Sequence, residues 1–499
     1  MDEATESLKN SRLEPLFWPF LPTTSMTATT DTGTGTSHEL KRVLRLGDLV
    51  LFNVVAVLGL RWVATSAKAG PSSLVLWLLA ALLFFVPQGM AVITLASRFP
   101  EEGGVYAWTR RTYGEWNGFV CGWCYWVNNV LYYPNLLIST AVIATYAIGK
   151  GGTALGDSWA YVLSVSLVAL WIAAALNIVG LGTAKWLHNV GGLAAYVPGV
   201  MLILLGIAAI VMHSSANAVT PATVVPDVTD LSTLNLWASI AFAFAGLELS
   251  STMGEETANP KRDLPRAIMI SAPLVAVAYI LGTLSVLWLV PTKDINIVSG
   301  FLQAISVGAA ASPALVWMAP VAAMLYTVSN VAGVGAWLSG PARVAFVIGL
   351  DRYFPPAFGK VHSRWRTPYV AILVQAALAT VFLGISQLGK GSTVEHAYLV
   401  LLDTQLLVYF IPYVYLFLCL LRQARGARAE GQLPGGRAGA TIAGVSGLAI
   451  TVFAMVVASI PPADAPSRFE FGAKVIGGAA AFVALGGVIY WRAHAKRRA

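Results

Sequence analysis

The sequence predicts an all-α protein that crosses a membrane twelve times, and three observations carry that expectation. Charged residues are only 11% of the 499 residues and hydrophobic ones 57%, whereas soluble proteins carry about a quarter charged. Apolar runs recur along the whole chain, each near the roughly 20 residues a helix needs to cross a hydrocarbon core of about 30 Å. Lysine and arginine crowd into every second interval between these runs, as loops retained on the cytoplasmic side do. A soluble enzyme is excluded, and nucleic acid is not an expected partner despite the net charge of +8. Three cysteines, Cys121, Cys124 and Cys419, do not make a disulfide framework and are read as reduced core residues.

Residues 1–44 are polar, crowded with Thr and Ser from Thr23 to Ser37, and lack the short apolar core of a cleavable signal. They are expected to form a disordered cytoplasmic tail, and Met26 offers a second possible start of translation. Span one, at 46–67, holds ten Leu, Val and Phe residues between Leu49 and Ala67. At about 0.3–0.6 kcal/mol each, these offset the insertion cost of Arg61. Spans two to five follow at 73–97, 117–148, 158–179 and 188–212, the fifth kinked by Pro198. Spans six to ten are expected at 234–257, 267–290, 313–347, 368–386 and 397–420, and two more at 438–459 and 473–491. With the N-terminus inside, the inner intervals collect clusters such as Lys41, Arg42 and Arg45, or Arg422, Arg425, Arg428 and Arg437. The outer ones hold only Lys68, Lys150, Lys293, Lys390, Arg468 and Lys474. Both termini are therefore expected in the cytoplasm.

Charge inside a span costs about 2.5–3.5 kcal/mol, so each such residue is a candidate for function. Arg61, Glu248 and Asp403 stand out. Glycines interrupt span one at Gly59 and span six at Gly246, each beside one of these charges. Paired interrupted helices in corresponding positions point to a transport site at the membrane midplane, where freed backbone groups meet a substrate's charged ends; close helix packing is the alternative use of such glycines. Arg61 and Asp403 lie at similar depth, about 9 Å below the outer surface, and are expected to pair as an outer gate. Glu248 is the candidate proton carrier, since burial favours a neutral carboxyl, with a purely structural hydrogen-bonded role as the alternative. Asn128, Asn129 and Asn330 read as interhelical hydrogen-bond partners. Tyr132, Tyr133 and Trp337 are candidate cavity aromatics, with lipid-facing or core packing as the alternative, and Glu395 and His396 read as a solvated rim pair, with pH sensing as the alternative. No zinc spacing, nucleotide-binding glycine loop or HExxH motif is present, so no metal or cofactor is expected and ATP-driven pumping is excluded.

Several blocks together resemble the amino acid/polyamine/organocation superfamily. They are Phe242-Ala-Phe-Ala-Gly246-Leu-Glu248 running on to Glu255-Glu256 and Asn259-Pro260, then Pro100-Glu-Glu-Gly103-Gly104-Val-Tyr106, and Ser339-Gly-Pro-Ala-Arg343. Leu60-Arg61, Phe84-Phe85-Val-Pro87, Tyr133-Pro134 and Trp337 with Gly340-Pro341 look closest to the glutamate/GABA antiporter branch. The resemblance implies a fold of two inverted five-helix repeats, 45–212 and 232–421, with broken helices one and six. Two accessory helices at 438–492 and a basic tail at 493–499 complete it. It further implies that the substrate lies against Ala56, Val57, Leu58 and Gly59 of span one and Ala245, Gly246, Leu247 and Glu248 of span six. Phe242 would gate the site, Trp337 would line it, and Glu248 takes the place of the family's proton-sensitive glutamate. Two departures matter: the usual Gly-Ser-Gly break of span one is absent, and span five lacks the lysine that some relatives carry in place of sodium.

The expected function is a secondary-active amino acid transporter of the cytoplasmic (inner) membrane, working by alternating access as a proton-coupled symporter or an exchanger, of the glutamate/GABA kind. A polyamine or cationic amino acid transporter is the alternative substrate class. An amino-acid-gated channel or non-transporting receptor is the alternative of another class. An enzyme is not expected, because no nucleophile and base or metal cluster falls in the spans. Substrate identity, proton against sodium coupling and oligomeric state stay open at this level.

Overall fold

A bilayer offers backbone groups no water, so a spanning chain closes its hydrogen bonds within helices or barrels. The computed structural model describes residues 40–149, 153–212, 214–387, 394–426, 435–460, 469 and 472–498, and among them the regular structure is helical apart from one isolated bridge between Leu44 and Thr257. Span one is a bent pair, α1 (Leu46–Val57) and α2 (Arg61–Ala67), whose axes differ by 42°. Span two runs through α3 (Ser73–Ala80), a π-turn at Ala81–Phe85 and α4 (Val86–Arg98). A short amphipathic helix, α5 (Val105–Tyr113), leads into α6 (Glu115–Ile148), followed by α7 (Trp159–Val179) and α8 (Leu181–Val211). Span six begins as α9 (Leu231–Ala243), loses helical geometry, and resumes as a 3-10 turn at Leu249–Met253. Then come α10 (Pro260–Leu289), the short α11 (Gly300–Ala309), α12 (Met318–Leu350), α13 (Tyr369–Gln387) and α14 (Val394–Arg425). The last two are α15 (Gly436–Ala458) and α16 (Gly478–Arg498).

Among the described residues, nine helices are long and apolar enough to cross a membrane, and the bent pair makes ten. The other two expected spans are the interrupted α9 and the shorter apolar α13. Span five starts about two turns before its apolar run, at Leu181, so that Lys185 sits on the helix rather than in a loop. Helices α5 and α11 fall outside the sequence reading because each is too short to register as a span.

Exposure follows the bilayer. On α8, Val190, Leu193, Val197, Val200, Leu204, Ile207 and Val211 are exposed at steps of three and four, a stripe one helix face wide that suits lipid rather than water. The opposite sides of α1, α6, α8, α10, α12 and α14 meet in one continuous apolar core. Helix α12 packs on α6 and α8, and α14 on α6 and α15, which leaves both breaks at the centre of the molecule.

Candidate functional site

Breaking a helix strands backbone N–H and C=O groups, and leaving them unpaired in the core costs about 1–3 kcal/mol each. Side chains from distant helices take them up here. Tyr279 of α10 accepts the Gly59 N–H at 3.0 Å and donates to Val57 O, with Ala243 O also in reach at 3.2 Å, so one hydroxyl ties span one to span six. Tyr413 of α14 accepts the Gly246 N–H at 2.8 Å. Trp337 of α12 donates its indole N–H to Ala56 O at 3.0 Å. The break in span six requires glycine: Gly246 has φ +129°, and a Cβ there would lie 3.1 Å from Trp337 and 3.2 Å from Val57. Trp337 is itself held, because Pro341 removes the donor its carbonyl would meet one turn on and the Tyr133 hydroxyl supplies that bond at 2.7 Å.

Between the breaks lies a cavity of ≈ 20 Å³, room for about one water. Ala56, Val57, Phe242, Ala245 and Trp337 line it, as do Trp62, Asn128, Tyr132, Ala243 and Tyr409. Five of the expected substrate contacts are therefore at the cavity wall. Leu58, Gly59, Gly246, Leu247 and Glu248 are not among the lining residues: they form the breaks and the layer behind them. Phe242 stands edge-on to Trp62 at 5.6 Å and to Tyr409 at 5.7 Å, so three rings close the space. The wall is aromatic and uncharged, with the Asn128 amide oxygen buried and accepting no hydrogen bond.

Glu248 sits one ring away, 1% exposed. Tyr125 and Tyr409 donate to its Oε1 at 3.1 and 2.5 Å, and Tyr413 and Gln88 to its Oε2 at 2.6 and 3.0 Å. Four donors fill the carboxylate, and each bond is one that it accepts. Tyr413 thus bridges the carboxylate to the Gly246 N–H at the helix break.

Arg61 is also buried, at 1% exposure. Its guanidinium donates to the Tyr132 hydroxyl at 3.0 Å and lies 4.8 Å from the centre of the Trp62 ring, a cation–π distance. It therefore backs the cavity wall through Trp62 and Tyr132 and does not stand in an open vestibule. The side chains of Asp403, its expected gate partner, and of Glu395 and His396 lie outside the described residues. Cys121 and Cys124 are buried thiols, not a disulfide.

The residues that sequence reasoning missed are Gln88, Tyr125, Tyr279, Tyr409 and Tyr413. Tyr409 and Tyr413 are one helical turn apart, and so is Tyr125 from Asn129; polar atoms repeating at i, i+4 on an apolar helix were the available signal. Nothing local marks Tyr279, whose partners at Val57 and Gly59 are more than 200 residues away.

Residues 48–484 match the family described as amino acid permease. An uncharacterized transporter of Legionella pneumophila is 31% identical over 452 residues, covering 89% of this chain and 96% of its own length. A glutamate/gamma-aminobutyrate antiporter of Lactococcus lactis is 24% identical over 398 residues, 78% of each chain. The crystal structure of MhsT in complex with L-phenylalanine superposes with a TM-score of 0.60 over 90% of this chain and 99% of MhsT at 13% identity, a likeness of fold.

Proposed function

The chain belongs to the amino acid permease family, multi-pass membrane transporters of the broken-helix, inverted-repeat fold and not enzymes, and from that premise we propose that it exchanges zwitterionic amino acids across the cytoplasmic membrane by alternating access, with Glu248 as a proton-coupled carboxylate. The observation that carries this reading is the meeting of two broken helices at a cavity closed by Trp62, Phe242 and Tyr409. The repeats in this reading are 45–212 and 232–421, with 438–492 accessory, and both termini face the cytoplasm.

At ≈ 20 Å³ the site is collapsed, and admitting an amino acid requires the rings to part. Trp337 holds the Ala56 carbonyl at 3.0 Å. When its indole swings away, that carbonyl becomes an acceptor for a substrate ammonium at the end of α1, where the helix dipole is negative. The uncharged wall favours a zwitterion over a polyamine, because Glu248 is screened behind Tyr409 and already filled by four donors. Protonating Glu248 turns one acceptor oxygen into a donor, so one of those four bonds must be given up. The Gln88 Oε1, buried without a hydrogen-bond partner, is the acceptor that a rotated amide presents to it. Tyr413 carries the change to Gly246 and so to the break in span six.

Counterflow in proteoliposomes tests this. Vesicles preloaded with unlabelled amino acids or polyamines receive each labelled compound outside at two pH values, with Glu248→Gln beside the unaltered protein. The expected result is uptake that depends on internal amino acid, with its pH dependence lost in Glu248→Gln. Absence of counterflow with every amino acid sinks the exchange reading; polyamine-only uptake sinks the substrate class.

A further inference from the structure

A second carboxylate is better placed to carry a proton than its neighbours, and it is not among the residues that line the cavity. Arg343, near the end of α12, is fully buried. Its guanidinium meets Glu256 in a two-pronged pair, Nε to Oε2 and Nη2 to Oε1 at 3.0 Å, while Nη1 donates to Ser339 O and Oγ at 2.7 and 3.0 Å. The cation's hydrogen bonds thus go to one carboxylate and one serine, and the second carboxylate, Glu102, has only a longer ion-pair contact with it. Glu102, in the loop between α4 and α5, is packed into the same cluster at 5% exposure. Its Oε2 accepts the Glu255 N–H at 3.0 Å. Its Oε1 lies 3.7 Å from Arg343 Nε, too far for a hydrogen bond, and accepts none.

The cluster therefore holds two buried carboxylates and one guanidinium. Other charges do not correct the imbalance. Glu255 is exposed and acidic; His188 of α8 is buried near Arg343; the flanking cations Arg110 and Arg111 are engaged with Asp351 and Glu101. An uncompensated buried carboxylate is among the costliest groups a protein can hold, and two that share one site hold a proton between them. Burial and the Glu256 charge push the Glu102 carboxyl well above its ordinary range, with Arg343 only partly opposing them.

We propose that Glu102 is a second proton-binding site of the transport cycle, occupied while this face of the protein is closed and emptied to solvent when the face opens. The geometry makes it a latch as well as a site. Glu256 O accepts the N–H groups of Val43 and Leu44 at 2.9 and 3.1 Å, and Gly103 N donates to Thr252 O at 3.2 Å. The segment before α1, the loop after span six, the α4–α5 loop and α12 are thereby stitched together around Glu102. Parting them hydrates Glu102, which releases its proton to water and repels Glu256. This deepens the exchange reading by adding a titrating group outside the cavity.

The test reads the proton directly and needs no substrate. Infrared difference spectra of the full chain in lipid at neutral pH should show a protonated carboxyl C=O band that disappears in Glu102→Gln and persists in Glu248→Gln. Glu256→Gln should also remove it, because one carboxylate and one guanidinium then balance. A band absent from the unaltered protein, or one lost in Glu248→Gln and kept in Glu102→Gln, overturns the proposal. Neither result depends on counterflow, whose failure would strike the exchange reading alone.

Discussion

Replacing Tyr279 by Phe removes a single oxygen and should loosen both helix breaks at once. The ring is fully buried and stacked on Trp77 with centroids 4.5 Å apart, and Phe preserves that contact. What is lost is the hydroxyl's set of bonds to Gly59 N, Val57 O and Ala243 O. Interhelical hydrogen bonds in membrane proteins average about 0.6 kcal/mol, which gives roughly 2 kcal/mol for three. Gly59 N and Val57 O remain bonded to each other at 2.9 Å, so the penalty for a stranded group falls chiefly on Ala243 O and adds about 1 kcal/mol. The expected destabilisation is about 2–3 kcal/mol, roughly 30- to 140-fold in the unfolding equilibrium. Reversible unfolding in mixed micelles measures it. Tyr196→Phe is the matched control, since the Tyr196 hydroxyl is buried without a partner and its loss should fall within about 0.5 kcal/mol of no change. Equal effects from the two substitutions would refute the claim that Tyr279 pins the breaks.

Two further outcomes follow from the Glu102–Arg343–Glu256 cluster. Arg343→Met leaves buried carboxylates without their cation and should cost about 3–5 kcal/mol, part of it restored by adding Glu256→Gln; thermal midpoints of the single and double variants check this. Glu102 binds its proton more tightly in the folded protein than in the unfolded chain. Its stabilising contribution is therefore complete below the ordinary carboxyl value near 4.5 and is lost as pH rises through the elevated one. The melting temperature should fall across that interval, and Glu102→Gln should flatten the fall; an unchanged profile contradicts the assignment.

How far the site was readable depends on which interaction places each residue. Gly59, Gly246 and Glu248 advertise themselves because a glycine or a charge within an apolar run violates the local pattern. Arg61 was visible for the same reason, and Tyr132 was readable as a cavity aromatic, but nothing in the sequence placed the Arg61 guanidinium against Tyr132 and Trp62. Tyr125, Tyr409 and Tyr413 escaped for that cause too, since a tyrosine has the hydropathy of a core aromatic and reveals its donor only when a carboxylate comes within reach. Likewise Glu102, in a loop beside the exposed Glu101, gave no sign that it would be buried beside Glu256.

The membrane class, the order and approximate limits of the spans and the two interruptions follow from the chain itself, because a hydrocarbon solvent acts on each segment separately and demands only length, apolarity and internal hydrogen bonding. Tertiary structure alone decided what meets those interruptions. The side chains that satisfy Val57, Gly246 and Glu248 come from helices between 123 and 222 residues away, and hydrogen bonds act over about 3 Å of space without regard to distance along the chain.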